Sequence, residues 1–362
     1  MLTVGVIGAS GFIGQRIAEV LHTQEKANVR AIVRSQASSS QLRLSGVDHR
    51  IANALDQSAL EKAFKGCDVI IHSATGSPGF IRGTMDATYK AAQRANVRRL
   101  IYMSSMCVHG QAPAPGTREE SPLRKPQPFP YNSAKIDSER SLLKLRSRGS
   151  VEVVIFRPGI VFGPRSPRII EIANQILNGT AYLVNGGQGI CNTTYIDNLV
   201  HAVVLAMYAD GIDGQAFFIG EHEQVTWAEL YHLLARALGV KPDQIPVVAP
   251  VGPQKTSLKQ TIADSVLVQK LLASISDDLK QSVKKLLGKQ KTASAPVSQP
   301  PLIGVQGSKQ VERCVTYEMT LLHQSPYKLP YNKAEQRLGY TPIVRFPNAF
   351  QQTVEWLAAN RA

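Results

Sequence analysis

The chain is short of cysteine, short of acid, and without long apolar runs. Its 362 residues include four cysteines, Cys67, Cys107, Cys191 and Cys314. No two of them form a CxxC pair, and no histidine stands at zinc-ligand spacing from them. Neither a disulfide framework nor a metal site is therefore expected, and a reducing cytoplasmic setting fits. No uncharged apolar run reaches the roughly 18 residues that a membrane span needs. The apolar opening MLTVGVIGASGFIG lacks the basic flank of a secretion signal, so it reads as the first strand of a domain. Acidic residues number 27 against 41 Lys and Arg, a formal net charge of +14. That surplus suits anionic partners, but without a recognition motif it does not indicate nucleic acid. No internal repeat is present.

What the chain does have is alternation. Val4–Ile7 reads as a strand, and Phe12–Thr23 as a helix with Ile13, Ile17, Val20 and Leu21 on one face. Val29–Val33 is a second strand. Leu60 and Phe64 mark a helix, Asp68–His72 a strand, residues 83–95 a helix and Arg99–Ser104 a strand. Tyr131–Arg146 follows as a helix and Val151–Phe156 as a strand. Such alternation implies an α/β protein with a Rossmann-type doubly wound parallel sheet. Beyond about residue 160 the pattern loosens, with a helix starting near Thr226-Trp227 and a last one over Gln351–Leu357.

Gly8-Ala9-Ser10-Gly11-Phe12-Ile13-Gly14 lies where the first strand turns into the first helix. Gly8 permits the tight turn, Gly11 lets the backbone approach a pyrophosphate, and Gly14 lets the helix pack close to the sheet. The helix start then offers free N–H groups to phosphate. In this position the spacing points to a dinucleotide, held by Gly8, Ser10, Gly11, Phe12, Ile13 and Gly14. The second strand ends in Arg34-Ser35 with no acid. An acid there would select NAD, whereas Arg suits the extra phosphate, so NADP is favoured over NAD, with Arg16 as a possible helper. Residues 1–180 are expected to form the NAD(P)-binding domain. Residues 181–362 are expected to be mostly a smaller C-terminal α/β substrate lobe, with some segments returning to the core.

A helical insertion is expected at about 252–310. Within it, Leu258, Ile262, Val266, Leu272, Ile275, Leu279, Val283 and Leu286 give Lys255–Lys291 one apolar face and a basic balance. It reads as a packing insertion with solvated lysines; peripheral membrane contact or a cover over the active site are the alternatives. Thr292–Pro301 reads as a linker.

Tyr131-Asn132-Ser133-Ala134-Lys135 puts a phenol and an ammonium on one helix face. A free phenol has a pKa of about 10 and is a poor base near neutrality. A neighbouring ammonium and an oxidised nicotinamide both favour phenolate. Ser105, just after a strand, can hold a substrate oxygen.

The ordered blocks GASGFIG (8–14), CDVIIHSAT (67–75), GTMDATYKAAQRANVRRLIYMSSMCVHG (83–110), PYNSAK (130–135), RPGIVFGP (157–164), YIDNLVHAV (195–203) and LGYTPIVRF (338–346) resemble the extended short-chain dehydrogenase/reductases of the NAD-dependent epimerase/dehydratase type. The resemblance implies a catalytic triad of Ser105, Tyr131 and Lys135, with Tyr131 and Lys135 also meeting the cofactor. It implies that Ser73, Ala74 and Thr75, after His72, line the cofactor, with Pro158 beside it and Asn53 and Ala54 near adenine. It also implies a homodimer through the Tyr131 helix and its neighbour.

The chain departs from the nucleotide-sugar members of that family. Ile160 stands where they carry an Asn that meets the substrate diphosphate, and Cys191 where they carry an Arg that meets the nucleotide, so both contacts are lost. Arg165 or Arg168 are candidate substitutes. Met106-Cys107 replaces the acid pair of the dehydratases. Cys107 falls where some epimerase/reductases keep an acid–base Cys, although a buried small residue is the simpler reading. Phe80 replaces an Asn before the fourth helix, and His109 replaces a Tyr. The RPGIVFGP and YIDNL blocks also resemble members acting on sterol-like, flavonoid-like or isoprenoid substrates. The expected function is an NAD(P)-dependent oxidoreductase acting on a hydroxyl or keto carbon of a small-molecule substrate. A nucleotide-sugar epimerase is the alternative, and a non-catalytic dinucleotide-binding regulator the third reading.

Overall fold

The computed structural model describes residues 1–39, 46–253 and 313–360. The amphipathic stretch 255–291 and the linker 292–301, and with them the suggested membrane contact, lie outside the described residues. The chain divides into two compact units. One contains Met1–Met103 and Pro130–Val154; the other contains Ser104–Phe129 and the described residues from Ile155 onward.

The first unit runs β1 (Thr3–Ile7), α1 (Phe12–Thr23), β2 (Asn28–Val33), α2 (Gln36–Ser39), β3 (Asp48–Ile51), α3 (Gln57–Phe64), β4 (Val69–His72), α4 (Pro78–Arg94), β5 (Arg99–Met103), α5 (Pro130–Arg146) and the start of β6 (Glu152–Pro158). The strands lie in the order β3-β2-β1-β4-β5-β6. The pairs from β3 to β5 are parallel. β4 and β5 are buried along their whole length, as strands covered on both faces must be. α1 buries Ile17, Ala18, Val20 and Leu21, and Ile17, Val20 and Leu21 are each worth about 1.5–3 kcal/mol of burial. The order reverses between β1 and β4, and in open sheets of this kind ligands bind beyond the strand ends at such a switch point.

The start of α4 and the strand β3 differ most from expectation. α4 begins at Pro78 rather than near residue 83 because Ser77 caps it, its Oγ accepting the Phe80 N–H at 3.3 Å, and Pro78 presets the first turn. Phe80 therefore sits inside the first turn and leaves the helix intact. β3, with sequence DHRI, is exposed at every residue and has no apolar alternation to announce it. It is an edge strand, added by backbone pairing to β2 and tied by an Arg30–Asp48 ion pair at 3.0 Å.

The second unit continues from the end of β6 through β7 (Ile160–Phe162), α6 (Pro167–Leu177), β8 (Leu183–Val184), β9 (Ile190–Cys191), β10 (Thr193–Tyr195), α7 (Ile196–Tyr208), β11 (Ala216–Ile219), β12 (Val225–Thr226), α8 (Trp227–Ala237) and β13 (Val247–Val248). It ends with α9 (Tyr317–Leu322), α10 (Asn332–Leu338) and α11 (Phe346–Ala359). β11 pairs parallel with the end of β6, completing a seven-stranded sheet. The helix expected at Thr226-Trp227 is α8, opened by a capping box between Thr226 and Glu229. α11 is longer than the expected Gln351–Leu357, because Phe346 and Ala349 extend the buried stripe of Thr353 and Leu357 towards its N-terminus. Trp227, Tyr195, Tyr340, Phe162, Phe217 and Phe218 are fully buried in this unit.

Candidate active site

The glycine turn is built as its spacing demands. Gly8 has φ +80°, and a Cβ there would lie 2.7 Å from the Ala74 nitrogen. A Cβ on Gly14 would lie 2.3 Å from the Gly8 carbonyl oxygen and 2.5 Å from Ser73 Oγ. Gly11 is different. It is the exposed N-cap of α1, with ordinary extended backbone, and among the described residues its Cβ would meet only Gly8 O, at 3.3 Å. No side chain caps it and no acid stands in the first turn of α1, so the first N–H groups and the positive helix end face outward. A cradle of this shape and sign fits a pyrophosphate. Ser10, Phe12 and Ile13 are partly exposed around it.

Of the other residues expected at a cofactor, Arg34 follows the end of β2, Asn53 and Ala54 follow β3, and Ser73, Ala74 and Thr75 follow β4. Ser73 donates to Ile7 O through both N–H (3.0 Å) and Oγ (2.8 Å), tying the end of β4 to the end of β1. Thr75 is exposed. Arg34 is exposed immediately after β2, whereas Arg16 is paired with Glu19 at 3.3 Å. Asn53 accepts the Leu55 N–H at 3.1 Å, and Ala54 is buried. Pro158, in the second unit, is buried where β6 pairs with Ile219 of β11.

On α5, Lys135 is 3% exposed, whereas Tyr131 is 38% exposed. The Lys135 ammonium donates to Met103 O at 2.6 Å, lies 4.9 Å from the Tyr102 ring centre and is 5.7 Å from that of Tyr131. The phenol-bearing ring is thus presented to solvent and the cation is fixed behind it. His72, at the end of β4, is buried edge-on to Tyr102. Burial first, and the Lys135 charge second, push its pKa down to about 3, so His72 is neutral and Lys135 is the cation at this spot.

In the second unit Ser105 caps the 3-10 turn Met106–His109, its Oγ accepting the Cys107 N–H at 3.2 Å. A hydroxyl used this way keeps its own hydrogen to donate. A cleft in the same unit has Met106, Cys191, Thr193, Glu221, Lys328 and Leu329 in its walls. Glu221 accepts from the Tyr195 N–H and, at 2.7 Å, from Asn198; burial pushes its carboxyl up to about 7. Cys191 is buried and its thiol is pushed up by that burial. Arg168 is half-buried, bonded to Glu171 at 3.0 Å and to the Met319 sulfur at 3.0 Å, with its guanidinium over Trp227. It is committed to the unit's own packing. Among the described residues no cluster of His, Cys, Asp or Glu is arranged to hold a metal ion.

Sequence reasoning passed over Glu221, Lys328 and the pairing of Arg157 with His109. The Arg of RPGIVFGP was a visible signal, since a charged residue in an apolar strand needs a partner; its partner was not readable.

Residues 4–220 match the NAD dependent epimerase/dehydratase family. The chain belongs to that family. It is an NAD-dependent enzyme of the extended short-chain dehydrogenase type. Within the family, a 2-alkyl-3-oxoalkanoate reductase from Stenotrophomonas maltophilia is 29% identical over 65% of this chain and 75% of its own length. A 3beta-hydroxysteroid-dehydrogenase/decarboxylase, isoform 1, from Arabidopsis thaliana is 24% identical over 97% of this chain and 78% of its own. A solved dTDP-glucose 4,6-dehydratase from Streptomyces venezuelae, with NAD and TYD bound, matches with a TM-score of 0.71 at 18% identity, over 99% of this chain and 98% of that one. At that identity the likeness shows the fold.

Proposed function

We propose that the enzyme is an oxidoreductase that moves a hydride between a nicotinamide dinucleotide and a hydroxyl or keto carbon of a small, largely apolar substrate. The observation that carries this reading is the Lys135 ammonium fixed by Met103 O behind an exposed Tyr131. When bound, the dinucleotide supplies or accepts the hydride at C4 of its nicotinamide. Tyr131 gives its phenolic proton to the carbonyl oxygen in reduction and takes it back in oxidation. Lys135 stabilises the phenolate that this exchange leaves. Ser105 donates its free hydrogen to the same substrate oxygen.

In this reading Gly8, Ser10, Gly11, Phe12, Ile13 and Gly14 hold the pyrophosphate. Arg34, Asn53 and Ala54 meet the adenosine, and Ser73, Ala74, Thr75, Tyr131, Lys135 and Pro158 meet the rest of the cofactor. Exposed Arg34, with no acid beside it at the end of β2, supports NADP over NAD. Residues 181–362 supply most of the substrate lobe. Ile160, the buried Cys191 and the engaged Arg168 all disfavour a diphosphate, which supports a ketone or alcohol over a nucleotide sugar. The named activities of the reductase and steroid-dehydrogenase relatives support the same choice.

The test is turnover of a 2-alkyl-3-keto ester and a 3-ketosteroid with NADPH and NADH, with UDP-glucose as contrast. Tyr131→Phe should lower kcat by about 10²–10⁴-fold while dinucleotide affinity holds. Undiminished turnover in that variant refutes the assignment of Tyr131. Conversion of UDP-glucose without net cofactor consumption would favour epimerisation.

A further inference from the structure

The turn that carries Ser105 is gripped at both ends by consecutive residues of β6. At its start, the Ser104 N–H donates to Phe156 O at 2.7 Å. At its end, His109 Nε2 meets Arg157 Nη1 at 3.1 Å. Between them lies one turn of 3-10 helix, Met106–His109, closed by the Gly110 N–H to Cys107 O at 2.8 Å. A single such turn has little stability of its own, so its position is decided by what holds it.

The hold on His109 is built in depth. Arg157 is 4% exposed. The same Nη1 donates its second hydrogen to Glu119 O at 2.8 Å, and the Glu119 carboxylate accepts the Phe218 N–H at 2.9 Å. Phe218 is the register partner of Arg157 across β6 and β11, and its ring meets the edge of His109 at 5.3 Å. Met106 packs against the same Phe218 and Leu329. A guanidinium has only donors, so Nε2 of His109 must present a lone pair and the ring must carry its proton on Nδ1. Burial, and then the Arg157 charge, hold His109 at about 4, so the ring is a neutral acceptor near neutral pH.

We propose that Arg157 and His109, braced by Glu119, are positioning residues that fix the Ser105 hydroxyl for the substrate oxygen. His109 does no proton transfer in this account; it is an acceptor that locks the far end of the serine turn onto β6. The proposal rests on the role given to Ser105 in the proposed function.

The experiment compares His109→Leu, which removes the acceptor, with His109→Gln, which restores one, in the full chain. Amide hydrogen exchange is read at residues 107–110, and kcat and KM are read with a 2-alkyl-3-keto ester and NADPH. His109→Leu should speed exchange at these amides by about tenfold or more while the sheet amides hold, because the turn is freed locally. It should lower kcat at least tenfold with KM within about twofold, since a displacement of about 1 Å at a catalytic group is costly. His109→Gln should recover both readouts. Wild-type exchange in His109→Leu, or a Gln variant as impaired as the Leu variant, overturns the proposal. Should the Leu variant fail to fold, Arg157→Gln, which removes the guanidinium and shortens the side chain, must show the same local loosening. Ser105→Ala separates the two claims. If it retains turnover, the role of Ser105 fails, while the exchange data still decide whether the clasp holds the turn.

Discussion

Substituting alanine at two glycines three residues apart should produce two different defects. At Gly14 the new methyl would lie 2.3 Å from Gly8 O, 2.8 Å from the Gly8 carbonyl carbon and 2.5 Å from Ser73 Oγ. Two of those atoms are backbone, and the shortest contact falls roughly 1 Å short of ordinary van der Waals separation, so α1 must move off the sheet. Overpacking of this kind costs about 1–3 kcal/mol, which lowers Tm by roughly 5 °C in a chain of this size. At Gly11 the backbone is extended, with φ −86° and ψ 164°, and among the described residues the only close atom is Gly8 O at 3.3 Å. Alanine there costs at most about 1 kcal/mol, mainly as a poorer N-cap. Its methyl, however, stands on the exposed side of the turn, where a pyrophosphate must approach. Gly11→Ala should therefore fold almost as well as the parent and bind NADPH about a hundredfold more weakly, whereas Gly14→Ala should lose stability and binding together. Differential scanning calorimetry of the free proteins and calorimetric titration with NADPH and NADH measure the two effects separately. A Gly14→Ala protein that melts with the parent, or a Gly11→Ala protein with parental affinity, would refute the account of the turn.

Other outcomes follow from single contacts. Arg34→Glu should move the ratio of NADPH to NADH affinity at least about tenfold towards NADH; an unchanged ratio removes Arg34 from cofactor selection. Glu152→Ala should destabilise the chain by about 1–3 kcal/mol in urea unfolding, since it strips the Nε partner, at 2.7 Å, from a fully buried Arg99. Stability should rise from acid to neutral pH and then level off. Burial lowers His72 to about 3 and His109 and His323 to about 4, so below about pH 6.5 the unfolded chain takes up protons that the folded chain refuses, and stability falls as pH drops. Burial raises Glu221 to about 7, so the folded chain keeps a proton that the unfolded chain releases above about 4.5, and this contribution is lost as pH rises through about 7. Three histidines outweigh one glutamate on the acid side. Tm should accordingly climb through neutrality and level off near about pH 7.5, and Glu221→Gln should steepen the climb between about pH 4.5 and 7; a variant that climbs no more steeply than the parent excludes Glu221 as a contributor.

Much of the fold was legible because it is written in short-range patterns. α1 falls on Phe12–Thr23 as its apolar spacing required, and β4 and β5 read as apolar runs because both faces are covered. The start of α4 was misread because a cap and a proline outweighed the apolar period. β3 was invisible because an exposed edge strand needs no apolar alternation. At the candidate site, the residue types and their order were readable from the chain. That Lys135 is bonded to Met103 O was not, since the two are brought together by the packing of α5 against the end of β5.

Sequence alone determined the alternation of strand and helix, the glycines at 8, 11 and 14, and the one-turn spacing of Tyr131 and Lys135. Each of these is a rule about neighbours, and the chain states its neighbours directly. Tertiary structure alone decided that Cys191 is sealed from solvent, that Arg168 is engaged by Glu171 and Met319, and that Arg157 holds His109 at the end of the serine turn. Those outcomes depend on which surfaces meet across dozens of residues, and a buried polar group's partner is settled only when the surrounding side chains close over it.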